Sequence, residues 1–157
     1  MKSYRLATVC VLLVMGTGLT AEDWRQWGGA DRLRVWNETG IVEEFPKTGL
    51  QVAWRVPIGS GFGGPSVADG RVFVTDWKED PDSRTFDGTE RVLTLDEQTG
   101  EVLWTYEWGT TYRALMLSYA AGPMATPTVD EDRVYVLGAT GLLWCLDVES
   151  GEVIWHR

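Results

Sequence analysis

The sequence predicts an all-β protein, a β-propeller of four-stranded antiparallel blades with an incomplete ring. Three observations carry this. Arg91–Trp104 aligns without a gap to Leu142–Trp155 at a shift of 51, and Pro65–Asp76 aligns to Pro127–Gly138 at a shift of 62. Gapless self-similarity at such a period is what stacked supersecondary units leave in a sequence. The 157 residues include nine tryptophans and 18 glycines, large packing groups joined to residues that tolerate positive φ in tight turns. Short β-branched and aromatic runs also alternate with Asp-Gly and Asp-x-x-Thr/Ser-Gly turn signals.

Taken in order, residues 1–21 read as an export signal. Lys2 and Arg5 form a basic start, Leu6–Met15 is an apolar stretch shorter than the about 20 residues of a membrane span, and cleavage falls after Ala21. Leu19 is larger than the cleavage site prefers, so retention as an anchor is the alternative. The destination is periplasmic or secreted. Residues 22–50 form a lead-in, and 51–58 an orphan outer strand whose Trp54 stands 50 residues before Trp104. The first blade spans 64–108. Its strand A is Pro65–Val67, with proline at the first strand position, and Asp69-Gly70 turns the chain into strand B, Arg71–Thr75. Strand C, Val92–Leu95, leads into the turn Asp96 to Gly100, where the carboxylate can accept backbone N–H groups and the glycine can take positive φ. Strand D places Val102, Trp104, Tyr106 and Trp108 on one face. The second blade, 124–157, repeats the order with Pro127–Val129, Arg133–Leu137, Leu143–Leu146, the turn Asp147 to Gly151, and a truncated strand D holding Val153 and Trp155. The first copy carries 11 extra residues. A β-sandwich also uses short strands, but does not need the same Asp-x-x-Thr/Ser-Gly-Glu-Val-x-Trp string twice. A closed ring needs roughly four to eight blades, so the sequence reads as a fragment of a longer protein.

Composition and context remove several functions. Acidic side chains number 23 against 14 basic, a net charge of -9 that becomes -11 once Lys2 and Arg5 leave, so nucleic acid and anionic membranes are poor partners. The single histidine, His156, cannot build a multi-histidine metal site or a well-anchored Ser-His-Asp triad. Of Cys10 and Cys145 only the second survives processing, which excludes an internal disulfide, and on strand C it reads as a small packed hydrophobe. Gly59–Gly64 satisfies G-x-G-x-x-G, but Pro65 and a strand follow where a dinucleotide fingerprint needs a helix, so it reads as a glycine turn. The acidic loop Asp80–Gly88 has Arg84 and Phe86 where calcium would need oxygen ligands. Asn37-Glu38-Thr39 is a glycosylation sequon, of use only in a host that glycosylates.

The strings Leu95–Trp104 and Leu146–Trp155 resemble the tryptophan-docking repeat of the PQQ-repeat, or quinoprotein-like, β-propellers, with Thr94 and Cys145 where that repeat usually opens with alanine. Asp23–Gly28 and Thr39-Gly40-Ile41 resemble the lead-in of secreted bacterial members that carry no assigned reaction. The resemblance implies a structural role for Asp96, Gly100, Trp104, Asp147, Gly151 and Trp155. An indole on one blade can lie on its neighbour's turn while its N–H reaches a carbonyl.

The family includes quinoprotein alcohol dehydrogenases and BamB-type propellers of outer-membrane protein assembly, and two functions follow. The preferred one is a non-catalytic exported scaffold that binds another protein, with no cofactor. The alternative is part of a PQQ-dependent dehydrogenase, which would hold pyrroloquinoline quinone and calcium on the propeller axis. The vicinal cysteine pair usual in its catalytic members has no counterpart here. Meander topology puts the connections Gly59–Gly64, Trp77–Glu90 and Glu107–Met124 on one face of the disc, and loops on a rigid scaffold are where binding groups sit. Tyr112, Arg113 and Tyr119 are the side chains there able to stack, donate and hold an anion. No catalytic or metal-binding residue is assigned.

Overall fold

A computed structural model describes residues 21–112 and 121–157, so the export segment before Ala21 lies outside the described residues. Two four-stranded antiparallel sheets follow one another: β1 (Ser66–Ala68), β2 (Arg71–Glu79), β3 (Asp87–Asp96) and β4 (Val102–Thr111), then β5 (Thr128–Asp130), β6 (Arg133–Leu137), β7 (Leu143–Asp147) and β8 (Val153–His156). Each sheet runs in simple sequential order, a meander, and the two do not close a ring. Asp69 and Gly70 join β1 to β2 with φ of 49° and 74°, the doubly positive geometry whose twist suits a two-residue hairpin.

The sheets pack face to face. Phe73, Val92 and Trp108 of the first meet Val134, Val136, Trp144 and Leu146 of the second. Trp144 lies 5.0 Å from the Tyr106 ring and 5.7 Å from Trp108, contacts worth about 0.5–1.5 kcal/mol each beyond the area they bury. The other face of the first sheet, Val72, Val74, Leu93 and Leu95, is covered by Trp54 and Val56. Val72–Trp77 and Glu90–Leu95 are therefore buried without a break instead of alternating. Residues 51–58 themselves pair with no strand among the described residues.

Three details correct the sequence reading. Strand D does not keep one face: Thr94 pairs with Trp104 but Leu95 with Val102, so Leu103 is an extra residue. Val102 thereby turns to the face opposite Trp104. Ile154 makes the same bulge between Val153 and Trp155. The strands of the first blade are also longer than expected, since Trp77–Glu79, Asp87–Arg91 and Glu107–Thr111 belong to the ladder and leave only residues 80–86 to the β2–β3 loop. Among their charged side chains, Arg91 pairs with Asp76 across the β2–β3 register. Finally, Gly59–Gly64 forms no turn, and none of its glycines has positive φ. It is a close approach: a Cβ at Gly59 would stand 2.3 Å from Trp77 O, and one at Gly63 2.6 Å from Ala125 O. Ser60 bridges Trp77, and the Phe62 and Gly63 amides donate to Pro123 O at 2.9 and 3.2 Å, tying the two blades at this end.

Candidate functional site

The repeated turns and tryptophans occupy matching geometry. Asp96 Oδ1 accepts the amides of Gln98 (3.0 Å) and Thr99 (2.8 Å) and the Thr99 hydroxyl (2.9 Å). Asp147 Oδ1 accepts the amides of Glu149 (3.1 Å) and Ser150 (2.8 Å) and the Ser150 hydroxyl (2.8 Å). The bonds from Thr99 and from Ser150 hold the two carboxyls below their usual range. Gly100 and Gly151 both have φ of 73°. Over Gly151 lies Trp104, whose Nε1 donates to Val148 O at 3.1 Å; over Gly100 lies Trp54, donating to Glu97 O at 2.8 Å. In both cases the acceptor is the residue after the turn aspartate. A Cβ at Gly151 would meet the Trp104 ring at 2.5 Å, and one at Gly100 the Trp54 ring at 2.7 Å. Trp155 is 37% exposed, and Tyr135 stands 6.0 Å from its ring.

At the loop-bearing end the lengthened β2, β3 and β4 carry two buried carboxylates, one on each sheet face. Asp76 is paired with Arg91 across the β2–β3 register. Arg91 Nε donates to Oδ1 at 2.7 Å, Nη2 donates to Oδ2, and Gly59 N donates to Oδ2 at 2.5 Å. The bond to Asp76 raises the guanidinium pKa further, and Glu107 stands 3.8 Å away at the exposed end. On the other face Glu90 accepts Trp108 Nε1 at 2.7 Å, Ala139 N at 2.9 Å and the Tyr112 hydroxyl. Ala139 belongs to the second blade, so Glu90 ties the blades together. Charge-assisted bonds of this kind are worth about 1.5–3 kcal/mol each. Gly138 is required beside it, since a Cβ there would lie 2.4 Å from Glu90 Oε2.

Of the three expected binding side chains, Tyr112 is not at the surface. It is 1% exposed, and its ring packs tilted against Trp77 with centroids 4.8 Å apart. Burial, then the bond to Glu90, push its phenol well above the usual range. Arg113 and Tyr119 lie outside the described residues. The acidic loop spends its own oxygens: Asp87 accepts the Ser83, Thr85 and Thr111 hydroxyls at 3.2, 2.7 and 2.5 Å. No group of three metal-ligating side chains assembles among the described residues. This end also offers apolar side chains outward, beside the exposed charges of Lys78, Glu79, Asp80, Asp82 and Arg84. Phe62 is 62% exposed and Met124 60%, and they share one repeat position, 62 residues apart. Phe86, in the β2–β3 loop, is exposed as well, at φ 57°. Sequence reasoning passed over these residues, although the shift that aligned the prolines also aligns Phe62 with Met124.

A family model described as outer membrane protein assembly factor BamB matches residues 29–157. The outer membrane protein assembly factor BamB of Shewanella oneidensis is 28% identical over 132 residues, which cover 73% of this chain and 31% of that protein. The chain thus spans about a third of the length of this curated relative. Among solved structures, a europium-containing methanol dehydrogenase superposes with a TM-score of 0.50 at 17% identity, covering 71% of this chain and 19% of the other. BamB from Moraxella catarrhalis superposes with a TM-score of 0.35 at 19% identity, covering 63% and 22%. The dehydrogenase likeness is one of fold: the two sheets are blades of a PQQ-like β-propeller.

Proposed function

The chain belongs to the family of outer membrane protein assembly factor BamB, and from that premise we propose that it is part of a non-catalytic, exported propeller whose loop-bearing end binds another protein. The observation that carries the reading is the division of labour at that end. Asp76 and Glu90, the buried carboxylates, are taken up by internal donors, while Phe62, Met124 and Phe86 stand out to solvent. Three of the roughly four acceptor sites of each carboxylate are filled by internal donors, so both groups serve the frame. Exposed apolar side chains on a rigid frame suit a protein surface. Residues 1–21 support delivery to the periplasm.

The alternative, a piece of a quinoprotein dehydrogenase, requires residues for pyrroloquinoline quinone and calcium. Against that reading, the two buried carboxylates at the loop-bearing end are committed elsewhere, Asp76 to Arg91 and Gly59, and Glu90 to Trp108 and Ala139. Calorimetric titration of the full-length protein with pyrroloquinoline quinone and calcium separates the readings. Absence of saturable heat is expected, and stoichiometric uptake overturns the scaffold role.

A further inference from the structure

Residues 23–34 cross the inner edges of both sheets. Val67, the middle of β1, donates its amide to Trp24 O at 3.0 Å, and Val129, the middle of β5, donates to Arg25 O at 2.8 Å. Val67 and Val129 occupy the same repeat position, 62 residues apart. Two adjacent carbonyls of one segment thus satisfy equivalent amides of two successive innermost strands. Left open, such edge amides would template another strand. Side chains hold the crossing in place: Arg25 Nη2 reaches Asp23 Oδ2 at 2.6 Å and Asp69 Oδ1, in the β1–β2 turn, at 3.0 Å. The segment then folds back on itself. Gly28 and Gly29 have φ of 84° and 80°, Arg34 N donates to Gly28 O at 2.9 Å, and a Cβ at Gly29 would press on the Trp24 ring at 2.9 Å.

We propose that residues 23–34 form an intramolecular staple that locks β1 to β5 at the inner edge and closes that edge against strands from outside. It acts at the opposite side of the blades from Trp104, so the angle between the two sheets is fixed at both the inner and outer rims. Neither contact depends on the identity of the bound partner.

Hydrogen exchange of the full chain, read amide by amide, tests this. Arg25→Ala removes two partly exposed ion pairs and should speed exchange at Val67 and Val129 together, by about threefold to fivefold, with Val92 and Val134 unchanged. Removing residues 22–36 should raise both by an order of magnitude or more. The proposal is overturned if either amide keeps its protection when the other loses it, or if neither responds to Arg25→Ala. Acceleration spread evenly over the core overturns it too, because the staple is then no separate element.

Discussion

Gly151→Ala isolates the docking of a tryptophan on its neighbour's turn. Gly151 has φ of 73°, and a Cβ there would lie 2.5 Å from Cε3 and 2.7 Å from Cδ2 of Trp104. Gly70 has nearly the same φ, 74°, with nothing within 4 Å. Alanine at either position must adopt left-handed backbone, at roughly 1–2 kcal/mol. Only at 151 must an indole move as well. Displacing Trp104 forfeits its bond to Val148 O, about 1 kcal/mol, and part of its packing on Phe73, whose ring is 6.1 Å away, about 1–2 kcal/mol more. Gly151→Ala should therefore cost about 3–5 kcal/mol, against roughly 1–2 kcal/mol for Gly70→Ala. Equilibrium urea unfolding measures both, with the m-value as a check that the unfolded reference is unchanged. In a Trp104→Ala background the excess at 151 should vanish, since the atom being struck is gone. Equal costs at the two glycines, or an excess that survives loss of the indole, would refute docking as the reason for glycine.

Other perturbations probe the buried charges. Arg91→Leu strands the Asp76 carboxylate in the core and should lower stability by about 3–5 kcal/mol in urea unfolding. Glu90→Gln turns an amide N–H toward either Trp108 Nε1 or Ala139 N, neither of which can accept, and should cost about 1–3 kcal/mol by the same assay. The depressed carboxyls of Asp96 and Asp147 contribute stability that is present above their unfolded value of 3.8 and lost as pH falls through the lower folded value. Asp147→Asn keeps an acceptor but no charge, so its stability should fall less steeply than that of the wild type below about pH 4, read as urea midpoints across that range.

The blades were legible because the repeat supplies its own control: two copies of one string cannot both be accidents of composition. What escaped the sequence follows from local physics. Asp76, Glu90 and Arg91 look like loop residues, since a lone charge does not belong inside a sheet, and only the register shows Asp76 opposite Arg91. The bulge at Leu103 breaks the period of two, so strict alternation put Val102 on the wrong face. Gly59–Gly64 read as a turn because glycine's usual service is positive φ, whereas here the missing Cβ makes room for Trp77 and Ala125 carbonyls. Tyr112 read as a binding residue from its place in a long connection. The strand runs one turn of the ladder further than expected and buries it on Glu90.

The scaffold role is most directly tested by photocross-linking from inside the cell envelope, with a photoreactive amino acid placed at Phe62 and, separately, at Leu103. Both positions are exposed and apolar, but Leu103 lies on the outer strand β4, away from the loop-bearing end. The account predicts one discrete protein adduct from position 62 and none from 103. Equal adducts from both positions, or an adduct from 103 alone, would contradict it.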